Sequence, residues 1–476
     1  MEKIKIGLVS TSQLSFPGDK KTVYNNSIND LAKLSQSMGF ELCAYPTTVI
    51  TRADAAIACD FFKEQEIDFL LIQHTSYSAG ELAVVFSKLK NVSIGLWAIP
   101  EGKNDGVVPF NSFCSINMHM SIYKHYIGME KIKWFFGNTE DGQFKRRLEI
   151  TVRALTAIKN INKSRVGLIG GVAPGFNDLY DDERNIAKLF DGLYFNRLHE
   201  FSEIKDIALK TSDKEAEKVA DEMVKNAKSV HRRAADKILL STKVYLAYKK
   251  FIAEHGYDAL AVSCWPKFQD DFGYSVCSVV GKLNGEGTVV ACEGDVLSAV
   301  SMLALKYIAK DDTMLMDMSN YDNTDSSVLL WHCGPACGRF CENNGYSLGV
   351  NYHGMAHIEG EEPNCCGVTN DMVFDENDIT IMRLSGEVDK YLLGGGHLLG
   401  DKKPSFLGSR GWLDSLRFNG EDISAEDLVN TILVTGFQHH FPAVIGDFDD
   451  EVKEFAAWLG LSPIEKVAYK DYLLTV

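Results

Sequence analysis

Positive charge is scarce in this chain: 49 Lys and Arg stand against 65 Asp and Glu in 476 residues, a net charge of −16. Such a surface repels phosphate backbones and anionic headgroups, which argues against nucleic-acid and membrane-surface roles while leaving room for a local basic pocket. Nor is a secretory leader expected. Met1-Glu2-Lys3-Ile4-Lys5-Ile6-Gly7 passes directly into an alternating apolar pattern, without a basic region followed by an apolar stretch. No apolar run is long enough to span a bilayer; the uncharged stretch 106–123 is broken by Pro109, Asn111, Ser112, Asn117 and His119. Cys-x-x-Cys pairs of the zinc-site kind are lacking, and of the eleven cysteines only Cys365 and Cys366 are adjacent. A chain of this length needs no disulfides to supplement its core, so the expectation is a soluble, cytoplasmic protein with reduced thiols.

What is present is ample core material, 45% hydrophobic and 11% aromatic, enough for about three domains. Short apolar runs at 4–9, 67–73 and 92–99 alternate with helix-like segments at 24–39 and 79–89, the pattern of a parallel sheet with crossover helices. The runs end in Ser10-Thr11-Ser12, His74-Thr75-Ser76 and Pro100-Glu101-Gly102, at the strand tips where open α/β sheets gather ligands. A second α/β unit begins near Ser164 with the strand 165–169. The glycines after it, Gly170-Gly171 to Gly175, are not spaced G-x-G-x-x-G, and Pro174 stands where a helix should open, which argues against a nicotinamide site. The segment 213–230 reads as an amphipathic surface helix. Further strands are expected at 259–264, 288–292, 314–318 and 328–331. Beyond about Asp317 the runs are strand-like and glycine-broken, closing with a helix at 449–459. The fold class is therefore α/β: two Rossmann-like parallel-sheet domains, 1–160 and 161–315, followed by a β-rich, barrel-like C-terminal domain, 316–476.

Candidate chemistry collects on these later strands. Glu293 emerges where the run 288–292 ends, and Asp317 sits inside the apolar run Met314-Leu315-Met316-Asp317-Met318. Acids in such surroundings need a cation, supplied by a metal ion or by an arginine or helix-cap partner. His332 ends the run 328–331 and leads into Cys333-Gly334-Pro335; His439-His440 follows the apolar run 432–434, again as at a strand end. Carboxylate and imidazole ligands without a thiolate signature favour Mn²⁺, with Mg²⁺ or Ca²⁺ also compatible. Cys333, Cys337 and Cys341 form a local cluster, but no second pair follows at zinc-ribbon distance.

Cys264-Trp265-Pro266-Lys267-Phe268-Gln269, Ala291-Cys292-Glu293-Gly294-Asp295, Met316-Asp317, Leu330-Trp331-His332-Cys333-Gly334 and Gln438-His439-His440 resemble, in order and spacing, the L-fucose and L-arabinose isomerase superfamily, specifically its shorter fucose-isomerase-like proteins. The resemblance implies a divalent-metal enzyme, with Mn²⁺ or else Co²⁺ or Mg²⁺, that interconverts an aldose of the fucose or arabinose type and its ketose through an enediol. It implies that Glu293 and Asp317 are both metal ligands and the acid/base pair, that His440 completes the inner shell, and that His332 is a further ligand as in the arabinose branch. It also implies a homo-oligomer, a hexamer in which a neighbour's N-terminal domain covers the site. Gln269, His74, Asn111, Asn117 and Trp412 are residue types suited to a polyol, whereas Trp265 reads as core. Some fucose-isomerase-like proteins act on sulfonated hexoses, taking sulfoquinovose to sulfofructose. Lys267, Arg339, Arg383 and Arg410 are then the candidate anion contacts, Arg410 first among them. A non-catalytic sugar-binding protein on the same domains is the alternative from another class.

Overall fold

A computed structural model of the protein describes residues 1–272, 275, 277–350 and 367–470, which leaves Cys365 and Cys366 outside. The chain divides into two compact units, Met1–Lys159 and Asn160–Val476. Among the described residues no helix is long and apolar enough to cross a membrane.

In the first unit, β1 (Lys5–Thr11), β2 (Glu41–Ala44), β3 (Phe69–His74), β4 (Ser93–Ala98) and β5 (Ile132–Phe136) form a parallel sheet in the order β2-β1-β3-β4-β5. This is a doubly wound order whose switch point lies between β1 and β3. Local signals fix the crossovers. Asp19 caps the helix Lys20–Met38 by accepting from the Thr22 N–H, and Gly39 ends it in the left-handed conformation. Thr51 and Asp54 form a capping box on the helix Arg52–Glu64. His74 ends β3 and is fully buried edge-on to His119, ring centroids 4.5 Å apart, with its Nδ1 2.8 Å from Ser115 Oγ. Burial holds both imidazoles neutral, His74 well below its ordinary range and His119 down to about 4. Asn111 opens the helix Ser112–Ser121 at φ +52°, and Asn117 is exposed on that helix.

The second unit holds two sheets. The strands β6 (Arg165–Ile169), β7 (Tyr194–His199), β8 (Ala259–Val262) and β9 (Val289–Ala291) are parallel, in the order β7-β6-β8-β9. The rest are β10 (Thr313–Asp322), β11 (Ser327–His332), β12 (Ser347–Val350), β13 (Val368–Val373), β14 (Asp378–Leu384), β15 (Lys390–Leu398), β16 (Ser409–Phe418), β17 (Glu421–Asp422), β18 (His440–Ile445) and β19 (Ser462–Pro463). Six of these pair antiparallel in a ring, β16-β11-β10-β18-β14-β15 and back to β16, which closes a barrel with no free edge among its members. Its core includes Met314, Met316, Leu330, Leu413 and Phe441. The helix Val296–Ala309, apolar on nearly every side, packs against strands of both sheets.

One local expectation changes. The apolar run 432–434 belongs to a helix, Ala425–Thr435, capped by Ser424 and ended by Gly436 in the left-handed conformation. His440 therefore opens β18 instead of ending a strand.

Candidate active site

Glu293 leaves β9 with φ +62°, a left-handed backbone that a non-glycine residue adopts at a cost of about 1–2 kcal/mol. Gly294 follows at φ +76°, so close to the Gly171 carbonyl oxygen that a Cβ would lie 2.3 Å from it. The side chain thus leaves the parallel sheet at a fixed turn. Asp317 and His440 come from the barrel, where they are direct cross-strand partners on β10 and β18, and Asp317 is paired on its other side with Trp331. His440 Nε2 lies 3.1 Å from Glu293 Oε2 and 3.7 Å from Asp317 Oδ1.

Despite these distances, Glu293 Oε2, Asp317 Oδ1, His440 Nε2 and His332 Nε2 are buried atoms without a hydrogen-bond partner. A buried polar atom left unsatisfied costs about 1–3 kcal/mol, so four such atoms on His440 and the residues close to it call for a partner to meet them. Glu293, His332 and His440 form one set of mutually close donors, and Asp317, His439 and His440 another, within 4.8 Å in each case. Two carboxylates and imidazole nitrogens suit a divalent cation such as Mn²⁺.

The histidines differ in their outer nitrogens. His440 Nδ1 lies 2.8 Å from Asp295 Oδ2 and, because a carboxylate only accepts, the ring donates there, which turns Nε2 toward the acids; a bound cation would have to displace the proton that nitrogen otherwise carries. Asp295 is itself clamped by Arg383, wholly buried, at 2.6 and 3.3 Å, and by the Ser298 hydroxyl and N–H. Burial opposes charge on both Asp295 and His440. Arg383 and His440 overcome it for Asp295, holding its carboxyl far below the carboxylate range, while Asp295 and Glu293 raise His440 to about 10. Glu293 is likewise held low, the His439 and His440 contacts outweighing burial. His332 is the opposite case: its Nδ1 accepts the Cys333 backbone N–H at 2.9 Å, so in the neutral ring the proton sits on Nε2. Burial keeps that ring neutral, pushing its pKa down. His439 Nδ1 lies 2.6 Å from Asp178, and its Nε2 lies 3.6 Å from Glu293. Burial works against its protonation, but these two acids raise its pKa.

Beside these groups is a cavity of about 390 Å³ whose wall includes Phe176, Trp265, Gln269, Trp331 and three thiols, Cys264, Cys277 and Cys333. That is the size range of small-ligand pockets. Cys277 and Cys333 lie 3.2 Å apart, and their contact together with burial pushes the Cys333 thiol well up, so it faces the cavity protonated.

Of the residues expected from sequence, Glu293, Asp317, His332, His440 and Gln269 come together here. Arg410 and Trp412 are not in the cavity wall. The Arg410 guanidinium is engaged by Asp371 and the Gly408 carbonyl, and the Trp412 indole N–H donates to the Pro404 carbonyl with Lys403 over its ring. Trp265, read as core, lines the cavity edge-on to Phe176. Cys337 and Cys341 are core residues. His74, Asn111 and Asn117 belong to the first unit. Sequence reasoning missed Asp295, Asp178 and Cys277. Asp295 was within reach, an acid two residues after Glu293 and just before a helix; Asp178 and Cys277 carry no local signal.

No protein-family model matches the chain. A sulfoquinovose isomerase of Priestia aryabhattai is 25% identical over 407 residues, 84% of this chain and 86% of that protein. One from Alkalicoccus urumqiensis is 24% identical over 84% of this chain and 86% of its own, and one from Clostridium sp. (strain MSTE9) is 23% identical over 82% and 85%. Among solved structures, a periplasmic solute binding protein from Actinobacillus succinogenes 130z with bound D-allose covers 65% of this chain and 93% of its own at 11% identity, with a TM-score of 0.19. The sequence relatives support an isomerase enzyme acting on a sugar.

Proposed function

We propose that the protein is a divalent-metal-dependent aldose–ketose isomerase working through an enediol, with a sulfonated hexose, sulfoquinovose, as its substrate and sulfofructose as the product. The observation that carries the metal-dependent reading is that Glu293 Oε2, Asp317 Oδ1 and His440 Nε2 are buried with no hydrogen-bond partner, the two carboxylate oxygens lying 3.1 and 3.7 Å from the His440 nitrogen. The relatives' names support the sugar.

Glu293, Asp317 and His440 would hold the ion, Mn²⁺ first and Co²⁺ or Mg²⁺ as substitutes. When bound, the ion supplies Lewis-acid stabilisation of negative charge on the substrate's O1 and O2. The protein's own groups then do the rest. A carboxylate of the Glu293–Asp317 pair takes the C2 proton and returns it to C1, while the proton on O2 is lost and one is gained at O1. His332, with its proton on Nε2, donates a hydrogen bond toward those oxygens and is a binding group in this scheme, not a ligand. His439, protonated between Glu293 and Asp178, keeps a second proton beside Glu293. The aromatic and thiol wall excludes water from the carbanion-like carbon.

A neutral aldose of the fucose or arabinose type is the second reading. It is favoured by a cavity wall that carries no Lys or Arg among its described residues. Both readings are separated by incubating metal-stripped protein with Mn²⁺ in D₂O and a panel of L-fucose, L-arabinose, D-arabinose and sulfoquinovose, followed by NMR. Sulfofructose is the expected product, and any solvent deuterium at its C1 measures how often the carboxylate's proton exchanges with solvent before it is returned. Turnover of none of the four by metal-loaded protein would overturn the isomerase proposal. The proposal extends to a homo-oligomer, a hexamer; a monomer by light scattering would remove that part.

A further inference from the structure

Three thiols, Cys264, Cys277 and Cys333, line the cavity, and the enediol scheme gives none of them a part in making or breaking bonds. Two are within reach of each other. Cys277 Sγ and Cys333 Sγ lie 3.2 Å apart, although 56 residues separate them in sequence. A disulfide holds its sulfurs at about 2.05 Å, so joining these two requires them to close by only about 1.2 Å. The backbones that carry them are held together as well. Gly281 lies one turn beyond Cys277 on the helix Cys277–Asn284. It is pressed so closely onto the turn after His332 that an added Cβ would lie 2.5 Å from the Ala336 carbonyl oxygen and 3.0 Å from that of Pro335. Asn370 donates to the same Ala336 carbonyl at 2.9 Å. Helix and turn therefore stay in contact, and the sulfurs stay paired where a small oxidant can enter with the same access as a sugar.

Cys333 is also tied to a group that the reaction uses. His332 Nδ1 accepts the Cys333 backbone N–H at 2.9 Å and lies 3.2 Å from Cys333 Sγ. Drawing Cys333 toward Cys277 pulls on both contacts and turns the imidazole, so its Nε2–H no longer points at the substrate oxygens. Glu293, Asp317 and His440 stand on other segments, at the end of β9 and on β10 and β18, and are not drawn along. Closing the bond should therefore cost turnover while leaving the metal set in place. At rest Cys333 is kept as the thiol by its contact with Cys277 and by burial, so the pair is slow toward a brief oxidant and answers a sustained one.

Resting on the isomerase reading of this site, we propose that Cys277 and Cys333 are a redox pair that switches the enzyme off when a peroxide joins them as a disulfide. One sulfur attacks a peroxide oxygen, the O–O bond breaks, and a sulfenic acid and one water form. The second sulfur displaces the hydroxyl as a second water and makes the S–S bond, so the two sulfurs give up the two electrons that the peroxide takes. A dithiol reverses the step by exchange.

The test treats the wild type, Cys277→Ser and Cys333→Ser with hydrogen peroxide and removes the excess with catalase. Turnover of sulfoquinovose and L-fucose is then measured with Mn²⁺, each protein against its own untreated sample, and the linked peptides are mapped by mass spectrometry. In the wild type a Cys277 peptide joined to a Cys333 peptide is expected. Turnover should fall at least about 10-fold, part of the roughly 100-fold that losing a donor to a developing oxyanion costs, and return with dithiothreitol. Mn²⁺ affinity should be unchanged by the treatment, and both serine variants should keep their own untreated turnover. Thiols that remain unlinked in treated wild type would overturn the pair, and a linked protein that is still fully active would overturn the switch. Equal losses in the serine variants would place the oxidation elsewhere, and lost Mn²⁺ affinity would place its effect on the metal set; either would also sink the proposal. A reduced wild type that turns over neither sugar would overturn the isomerase reading and the switch with it, a result distinct from the peptide map, which alone decides whether the sulfurs join.

Discussion

His439 and His440 are adjacent in sequence yet differ in chemistry because different acids face their outer nitrogens. His440 is fully buried on Asp295, and His439 is partly exposed on Asp178. The orienting acid fixes which nitrogen of His440 is left for a metal, so Asp295→Asn should weaken Mn²⁺ binding by about 10- to 100-fold in titration calorimetry. Binding as tight as in the wild type would remove Asp295 from that role. A second residue-scale expectation concerns His74 and His119. Both are neutral in the fold and below their unfolded value of about 6.5, so an unfolded chain takes up more protons as pH falls. Their stabilising contribution is complete above pH 6.5 and drains away as pH drops toward about 4. Between pH 7.5 and 5.5 the first unit should lose about 1 kcal/mol for each of them, read as faster amide exchange in β3. A His119→Gln variant should show a shallower pH dependence, and an equal slope would contradict the assignment.

At the scale of elements, the turn after β9 is the most constrained piece of backbone at the site. Gly294→Ala would force a Cβ onto the Gly171 carbonyl oxygen at φ +76°. We expect a loss of about 2–4 kcal/mol in denaturant unfolding and of most turnover, because Glu293 would be displaced with it. Wild-type stability in that variant would show that the Gly171 loop yields. Elements that bury a continuous apolar run, such as β1, β3, β4 and β8, were legible from sequence, as were the strand-tip positions of Glu293 and His332. The half-exposed β2 and β5 were not, since neither alternates nor forms a run. The helix Ala425–Thr435 was missed because its apolar residues 432–434 are consecutive, although Ser424 and Gly436 mark both ends. Asp317 and His440 were legible as chemistry but not as neighbours, for strand register is a property of the closed barrel. Arg410 looked available because no local pattern announces Asp371, 39 residues away, as its partner.

For the molecule as a whole, the decisive contact is the buried line from Arg383 on β14 through Asp295, which caps the helix Val296–Ala309, to His440 on β18. Arg383→Met would leave Asp295 ionised and half-compensated in a dry interior. It should cost about 3–5 kcal/mol in chemical denaturation, with metal affinity falling alongside; a variant as stable as the wild type would show that His440 alone suffices for Asp295. That line also bears on how such a protein can change over generations. Taken alone, the barrel would carry a bare guanidinium in its interior, and the parallel sheet with its helix would carry a bare carboxylate. Recombination that separated them would hand each recipient an uncompensated charge, so the two layers are heritable only as a single block, and sequence drift at residues 295, 383 and 440 has to be concerted.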